Sequence, residues 1–165
     1  MGRNYRRNNY WRHAWVYTDG ACELNGQKGA RAGIGVYWGP NHPLNVSEAL
    51  VVRQTNNRAE LQAAVVAIKQ AMYEGFQEIT IFTDSRYVVW GMTRWIHRWI
   101  QNGWNTFYRK PVKNQADFQQ LLDAENTIVV NWELVRGHAR IEGNVAADRL
   151  AKRGIRRSYY FFLEF

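Results

Sequence analysis

One cysteine, three prolines and no long apolar run set the first limits on this 165-residue chain. Cys22 alone forms no internal disulfide and no cysteine-based zinc site, and it fits a reducing, intracellular setting. No apolar stretch approaches the roughly 18 residues needed to cross a bilayer, so neither a spanning helix nor a membrane partner is expected. The first 13 residues lack the apolar centre of a secretory signal. Acids are scarce: 14 Asp and Glu against 22 Lys and Arg leave a net charge of +8. A domain with that surplus is expected to meet a polyanion. Aromatic residues, by contrast, are plentiful at 15%, with eight Trp, more than one small core needs. Basic and aromatic side chains in alternation suit nucleic acid, where cations pair with phosphates and rings stack on bases or sugars. The length allows one compact domain, and a monomer suffices for it.

Along the chain, residues 1–13 carry Arg3, Arg6, Arg7 and Arg12 without an acid and read as a mobile basic arm. From Ala14 the pattern alternates, with Trp15, Tyr17 and Asp19 on one face and Val16 and Thr18 on the other, up to Gly20. Further strands are expected near Ala32–Trp38 and Asn45–Gln54, and the short turns imply an antiparallel meander. A helix follows from the Thr55-Asn56-Asn57 cap to about Glu74, then a buried strand, Glu78–Thr83. Helical segments near Ser85–Gly91, Thr93–Asn102 and Asn114–Ala124 enclose a polar loop, Gly103–Val112. A fifth strand, Thr127–Arg136, and a helix from about Gly143 to Arg153 complete residues 14–155 as one α/β domain on a mixed sheet. Residues 156–165 form an aromatic tail of different composition.

Four acids stand where a solvated surface explains them poorly. Asp19 and Asp84 each end a strand, where open sheets place their ligands. Glu60 lies one turn into its helix, in line with Ala64, Ala67 and Ala71. Asp148 lines up with Val145, Ala151 and Ile155, so both helical acids are expected to face the core, where an unpaired charge is costly. Converging acids without a buried base call for a cation, and all-oxygen donors favour Mg²⁺ or Mn²⁺ over zinc. Taken singly, each has an ordinary alternative: Asp19 and Asp84 as turn or helix caps, Glu60 as a first-turn acid, Asp148 paired with Arg149 or Lys152. His138, in a flexible loop before the last helix, is either a solvated surface residue or a proton shuttle beside a metal site.

With Tyr17-Thr18-Asp19-Gly20, Thr55-Asn56-Asn57-Arg58-Ala59-Glu60, Phe82-Thr83-Asp84-Ser85 and Gly137-His138…Asp148 in this order, the chain resembles ribonuclease H of type 1 from about Trp15 to Gly154. Residues 31–46 and 93–105 are most like the eukaryotic form. The resemblance implies a ribonuclease H-like fold: a five-stranded mixed sheet, three strands antiparallel and then two parallel, flanked by helices. It implies that Asp19, Glu60, Asp84 and Asp148 bind two Mg²⁺ ions, with Mn²⁺ a possible substitute, and that the RNA strand of an RNA–DNA hybrid is cut to 5′-phosphate and 3′-hydroxyl ends. His138 matches the family's mobile histidine. Asn25, Asn56 and Asn57 match its readers of RNA 2′-hydroxyls. Arg53, Thr55 and Asn114 match its DNA phosphate pocket. Tyr87, Trp95 and Trp99, with Thr106 or Phe107 nearby, match its aromatic channel for the DNA strand. Trp90, Trp104 and Trp132 are expected to pack on the core. The alternative is a hybrid-binding module on the same fold without catalysis; a DNA-directed integrase or resolvase relative fits the asparagines and the Trp pair poorly.

Overall fold

A computed structural model describes residues 11–51, 53–137 and 140–161, with side chains up to Arg157. Five strands, β1 (His13–Glu23), β2 (Arg31–Tyr37), β3 (Val46–Ala49), β4 (Glu78–Thr83) and β5 (Val129–Leu134), form one sheet in the order β3-β2-β1-β4-β5. The first three are antiparallel, and β4 and β5 run parallel to β1. This is the mixed sheet of a ribonuclease H-like fold. The helices are α1 (Asn56–Tyr73), α2 (Arg86–Trp90), α3 (Ile96–Gln101), α4 (Gln115–Glu125) and α5 (Glu142–Phe161), with a π-helical turn, Gly91–Trp95, joining α2 to α3. Among the described residues no helix is long and apolar enough to cross a membrane.

The sheet is covered on both faces. The alanine stripe of α1 (Ala64, Ala67, Ala71) is fully buried and lets the helix lie close on β1, with Val16, Ile34, Ile79 and Ile81 beneath it. Phe118 and Leu121 of α4 extend this core at one side. On the opposite face α5 approaches β2 so closely that a Cβ on Gly35 would lie 2.1 Å from the carbonyl oxygen of Ala147, a separation only glycine permits.

Several boundaries differ from expectation for identifiable reasons. Strand β3 has four residues: beyond Ala49, Arg53 (φ 26°) turns the chain and the Gln54 side chain, in place of a strand neighbour, accepts the Ala32 N–H. Residues 11–13, expected in a mobile arm, are docked. The Trp11 indole N–H donates to Glu78 (2.7 Å), the Arg12 guanidinium lies 4.3 Å above the Phe76 ring, and His13 begins β1. Residues 1–10 lie outside the described residues. The loop at 103–112 is closed by a bridge between Asn105 and Pro111. Helix α5 does not stop near Arg153 but carries the backbone of 156–161 with it; the last four residues of the expected tail lie outside the described residues.

Candidate functional site

Strands β1 and β4 are adjacent, parallel and in register up to Tyr17 and Phe82, which sets Asp19 and Asp84 side by side where their pairing stops; β1 does not end at Asp19 as expected but runs on to Glu23, paired with β2. Ser85 caps α2 immediately after Asp84. Helix α1 brings Glu60 over β1 because residue 20 is glycine: a Cβ there would lie 2.3 Å from the Glu60 amide nitrogen. The Gly20 N–H donates to both Asp19 (2.8 Å) and Glu60 (3.1 Å). As a result one carboxylate oxygen from each of Asp19, Glu60 and Asp84 lies within 4.8 Å of the others. Asp19 and Glu60 are only 7% and 6% exposed.

The fourth acid stands apart from this trio. Ala147, Ala151 and Ile155 form the buried face of α5, and Asp148, one residue round from Ala147, sits at its margin, half-exposed. Its expected core-facing position is therefore corrected: its carboxylate pairs with Lys152 at 2.8 Å, one turn along the exposed side. It is still near enough for its charge to act on Asp19. His138 lies outside the described residues, although the preceding Gly137 stands directly against Asp84.

Crowded acids with little compensation resist ionisation. Burial, then the negative charges of Asp84 and Asp148, push the Asp19 carboxyl from 3.8 up to about 7, against the opposing pull of the Gly20 N–H and Lys152. Glu60 is raised well above the ordinary range, chiefly by burial and then by Asp19 and Asp84. A divalent cation would offset this repulsion. The donor set is oxygen only, as Mg²⁺ or Mn²⁺ requires, and the Asp19–Glu60–Asp84 trio fits such an ion.

The predicted nucleic-acid residues flank the acids. Asn25 accepts the Asn56 N–H (3.1 Å), the Asn56 amide reaches Glu60 (3.4 Å), and Asn57 is exposed on the same first turn of α1. Arg53 and Asn114 line one cleft of about 590 Å³ together with Arg58 and Lys113. The Thr55 hydroxyl, next but one to Arg53 in the chain, caps α1 by accepting the Arg58 N–H and keeps its own O–H to donate. Asn114, in the left-handed region (φ 58°), donates to the Tyr87 hydroxyl, which donates to the Lys113 carbonyl. The Tyr87 ring leans on Phe118 and Trp95. Trp95 and Trp99 are 5.7 Å apart, and both line a cleft of about 360 Å³ with Thr106 and Phe107. Trp99 also packs edge-on against Phe118, so it serves core and surface together. Trp104 and Trp132 pack on the core as expected, but Trp90 does not; it lies between Arg86 and Arg94.

Two supporting residues escaped the sequence reading. Asn144, 6% exposed, donates to Asp84 (3.1 Å), while its own carbonyl oxygen is buried without a partner among the described residues. Arg58 clamps the buried Asp117 with its Nε at 2.9 Å and, with Gln62, ties α1 to α4 beneath the Arg53–Asn114 cleft. Both contacts join residues about 60 positions apart, a separation that leaves no local pattern.

Comparison with known proteins matches this arrangement. The RNase H family profile covers residues 12–156. Ribonuclease H1 of Mus musculus is 48% identical over 143 residues, which are 87% of this chain and 50% of that protein. The chain thus spans about half the length of the mammalian relatives it matches. Ribonuclease H of Cyanothece sp. is 42% identical over 137 residues, 83% of this chain and 85% of that protein. Among solved structures, LC9-RNase H1, a type 1 RNase H with the type 2 active-site motif, superposes with a TM-score of 0.69 at 34% identity, covering 87% of this chain and 72% of the other. With the profile spanning nearly all described residues and the cyanobacterial protein matched over most of its length, the chain belongs to the RNase H family.

Proposed function

We propose that this chain is an intracellular, Mg²⁺-dependent endoribonuclease that cuts the RNA strand of RNA–DNA hybrids, leaving 5′-phosphate and 3′-hydroxyl ends, with residues 14–155 as its catalytic unit. The observation that carries the reading is the convergence of Asp19, Glu60 and Asp84 within 4.8 Å, with Asn56 against Glu60. Asp19, Glu60 and Asp84 would hold one ion, and Asp148, once released from Lys152, would help hold a second. When bound, the two ions supply activation of the attacking water and neutralisation of charge at the scissile phosphate.

The chain's own residues supply the rest. The Gly20 N–H holds Asp19 and Glu60 in one orientation, and Asn144 holds Asp84, so the donors stay placed before substrate arrives. Asn25, Asn56 and Asn57 read 2′-hydroxyl groups on the strand to be cut, the local mark that separates RNA from DNA. Arg53, Thr55 and Asn114 seat a phosphate of the DNA strand, Thr55 also setting the start of α1. Tyr87, Trp95, Trp99 and Thr106 receive its sugars, where a flat aromatic surface disfavours a 2′-hydroxyl. His138 assists proton transfer at the cut. A pure binding module gains nothing from carboxylates that repel phosphates, which favours the enzyme.

The test uses four labelled duplexes of one sequence: hybrid, double-stranded RNA, double-stranded DNA, and DNA with a single ribonucleotide, each in Mg²⁺ or EDTA. Cuts confined to the hybrid's RNA strand and lost in EDTA are expected, and Asp84→Asn should abolish them while still binding hybrid. Hybrid binding without cutting in either Mg²⁺ or Mn²⁺ would favour the binding module instead. Undiminished cutting by Asp84→Asn would remove the metal assignment.

A further inference from the structure

Trp90 stands apart from the tryptophans that pack on the core. Its half-buried indole carries two guanidinium groups, that of Arg94 at 5.0 Å and that of Arg86 at 5.7 Å from the ring centroid. Both arginines are exposed, and among the described residues neither is paired with a carboxylate. Arg86, Trp90 and Arg94 follow one another in steps of four, beginning two residues after Asp84. At the far end the stack runs into the aromatic cleft: Trp90 meets Trp95 edge-on at 6.2 Å, and Arg94 lines the cleft with Trp95, Trp99 and Thr106. The stripe therefore starts on the helix that follows Asp84 and runs into the Trp95–Trp99 cleft.

We propose that Arg86, Trp90 and Arg94 form an additional nucleic-acid contact of this chain, in which two backbone phosphates of the hybrid beside the aromatic cleft are bound by guanidinium groups that Trp90 holds in place. Stacking on the ring takes up the freedom of the long arginine stems and leaves their N–H edges outward. Those edges match phosphate oxygens in a two-pronged contact. Placing two cations on one short helical stripe with no acid between them costs repulsion in the free protein, and a polyanion offsets it. The inference rests on the hybrid-binding reading above and adds to its asparagines, phosphate pocket and aromatic channel a pair of guanidinium contacts.

Salt dependence of hybrid binding tests it, read by fluorescence anisotropy in EDTA from about 50 to 200 mM NaCl, where counterion release dominates the response. The probe is a fluorescein-labelled RNA–DNA hybrid. Replacing both arginines (Arg86→Gln with Arg94→Gln, chosen to keep the helix) should flatten the slope of log affinity against log salt by about 0.9 for each phosphate lost, close to 1.8 in all. Trp90→Leu keeps both charges; it should retain most of the slope yet bind about 3- to 10-fold more weakly, because the platform is gone. Far-UV circular dichroism confirms that each variant is folded, and Arg94→Gln alone serves as a milder substitute for the double variant. A double-variant slope equal to that of the unaltered chain overturns the inference, and so does a Trp90→Leu variant that binds as tightly as the unaltered chain. Failure of the functional reading looks different: the unaltered chain then neither binds the hybrid nor cuts it in Mg²⁺, and both readings fall together.

Discussion

Removing a carboxylate from the acid cluster should make the metal-free protein more stable, not less. Asp19→Asn keeps the shape of the side chain and an oxygen to accept the Gly20 N–H, now at 2.8 Å, but removes the charge. The Asp19 carboxyl is raised from 3.8 to about 7. At about 1.4 kcal/mol per pH unit, that shift sets a ceiling of about 4 kcal/mol on the cost of ionising it in the folded state. Glu60 and Asp84 readjust when one charge leaves, so about half of the ceiling, about 2 kcal/mol, is expected to be recovered. For a domain of 165 residues this corresponds to a rise in Tm of about 4–8 °C. The pH dependence follows from the sign. Between about 4 and 7 the folded state keeps a proton that the unfolded chain has lost, so the unaltered protein loses stability as pH rises through that window and levels off above it. The variant lacks this decline. Its advantage should be full at pH 8 and vanish near pH 4, as read by thermal melts in EDTA. With Mg²⁺ the order reverses, because the unaltered chain gains binding energy, about 2.7 kcal/mol at a hundredfold excess over Kd, that the variant largely forgoes. A variant that melts at or below the unaltered protein in EDTA at pH 8 would refute the argument from buried charge. An equal Mg²⁺ shift in both proteins would remove Asp19 from the ligand set.

Two further substitutions test the framework beneath the site. Gly20→Ala forces a Cβ to within 2.3 Å of the Glu60 nitrogen and 2.6 Å of the Ala59 carbonyl carbon, both backbone atoms that yield only if α1 moves. A loss of about 3 kcal/mol in urea unfolding is expected, and cleavage should fail with it as Glu60 shifts; an unchanged midpoint would contradict the packing described. Arg58→Ala strands the buried carboxylate of Asp117 with only Gln62 as partner and should cost about 3 kcal/mol. The double variant Arg58→Met with Asp117→Leu should regain most of it, and equal losses in the single and double variants would show that the ion pair is not the cause.

How much of this was legible in advance differs from one residue to the next. Strand alternation located Asp84 directly after β4, and helical periodicity put Glu60 on the alanine stripe of α1, because periods of 2 and 3.6 are properties of the backbone itself; Asp19, expected to end its strand, lies inside β1, which stays paired with β2 as far as Glu23. For Asp148 the same reasoning is right about the face and not about the side chain: Ala151 and Ile155 are buried as expected, but Asp148 lies at the margin of that face, where Lys152 four residues on pairs with it. Thr55 caps α1 as its place before the helix implies, and the capping hydroxyl, which accepts the Arg58 N–H, still has its own O–H to donate. Trp90 is expected on the core, yet it carries Arg86 and Arg94, four residues to either side; periodicity does not tell an inward indole from one that stacks outward.

The amino-acid sequence by itself determined the order of elements, the basic and aromatic character, and which side chains of each strand and helix share a face, because these depend only on neighbours within a turn or two. The tertiary structure alone decided which faces meet. The parallel register of β1 and β4 sets Asp19 beside Asp84, and the missing side chain at Gly20 sets the height of Glu60 above the sheet. Contacts across about 60 residues likewise bring Asn144 to Asp84 and Arg58 to Asp117. Such contacts form only when the packed core closes long loops, and the entropy of that closure is met by the burial of the whole domain, not by any local stretch of chain.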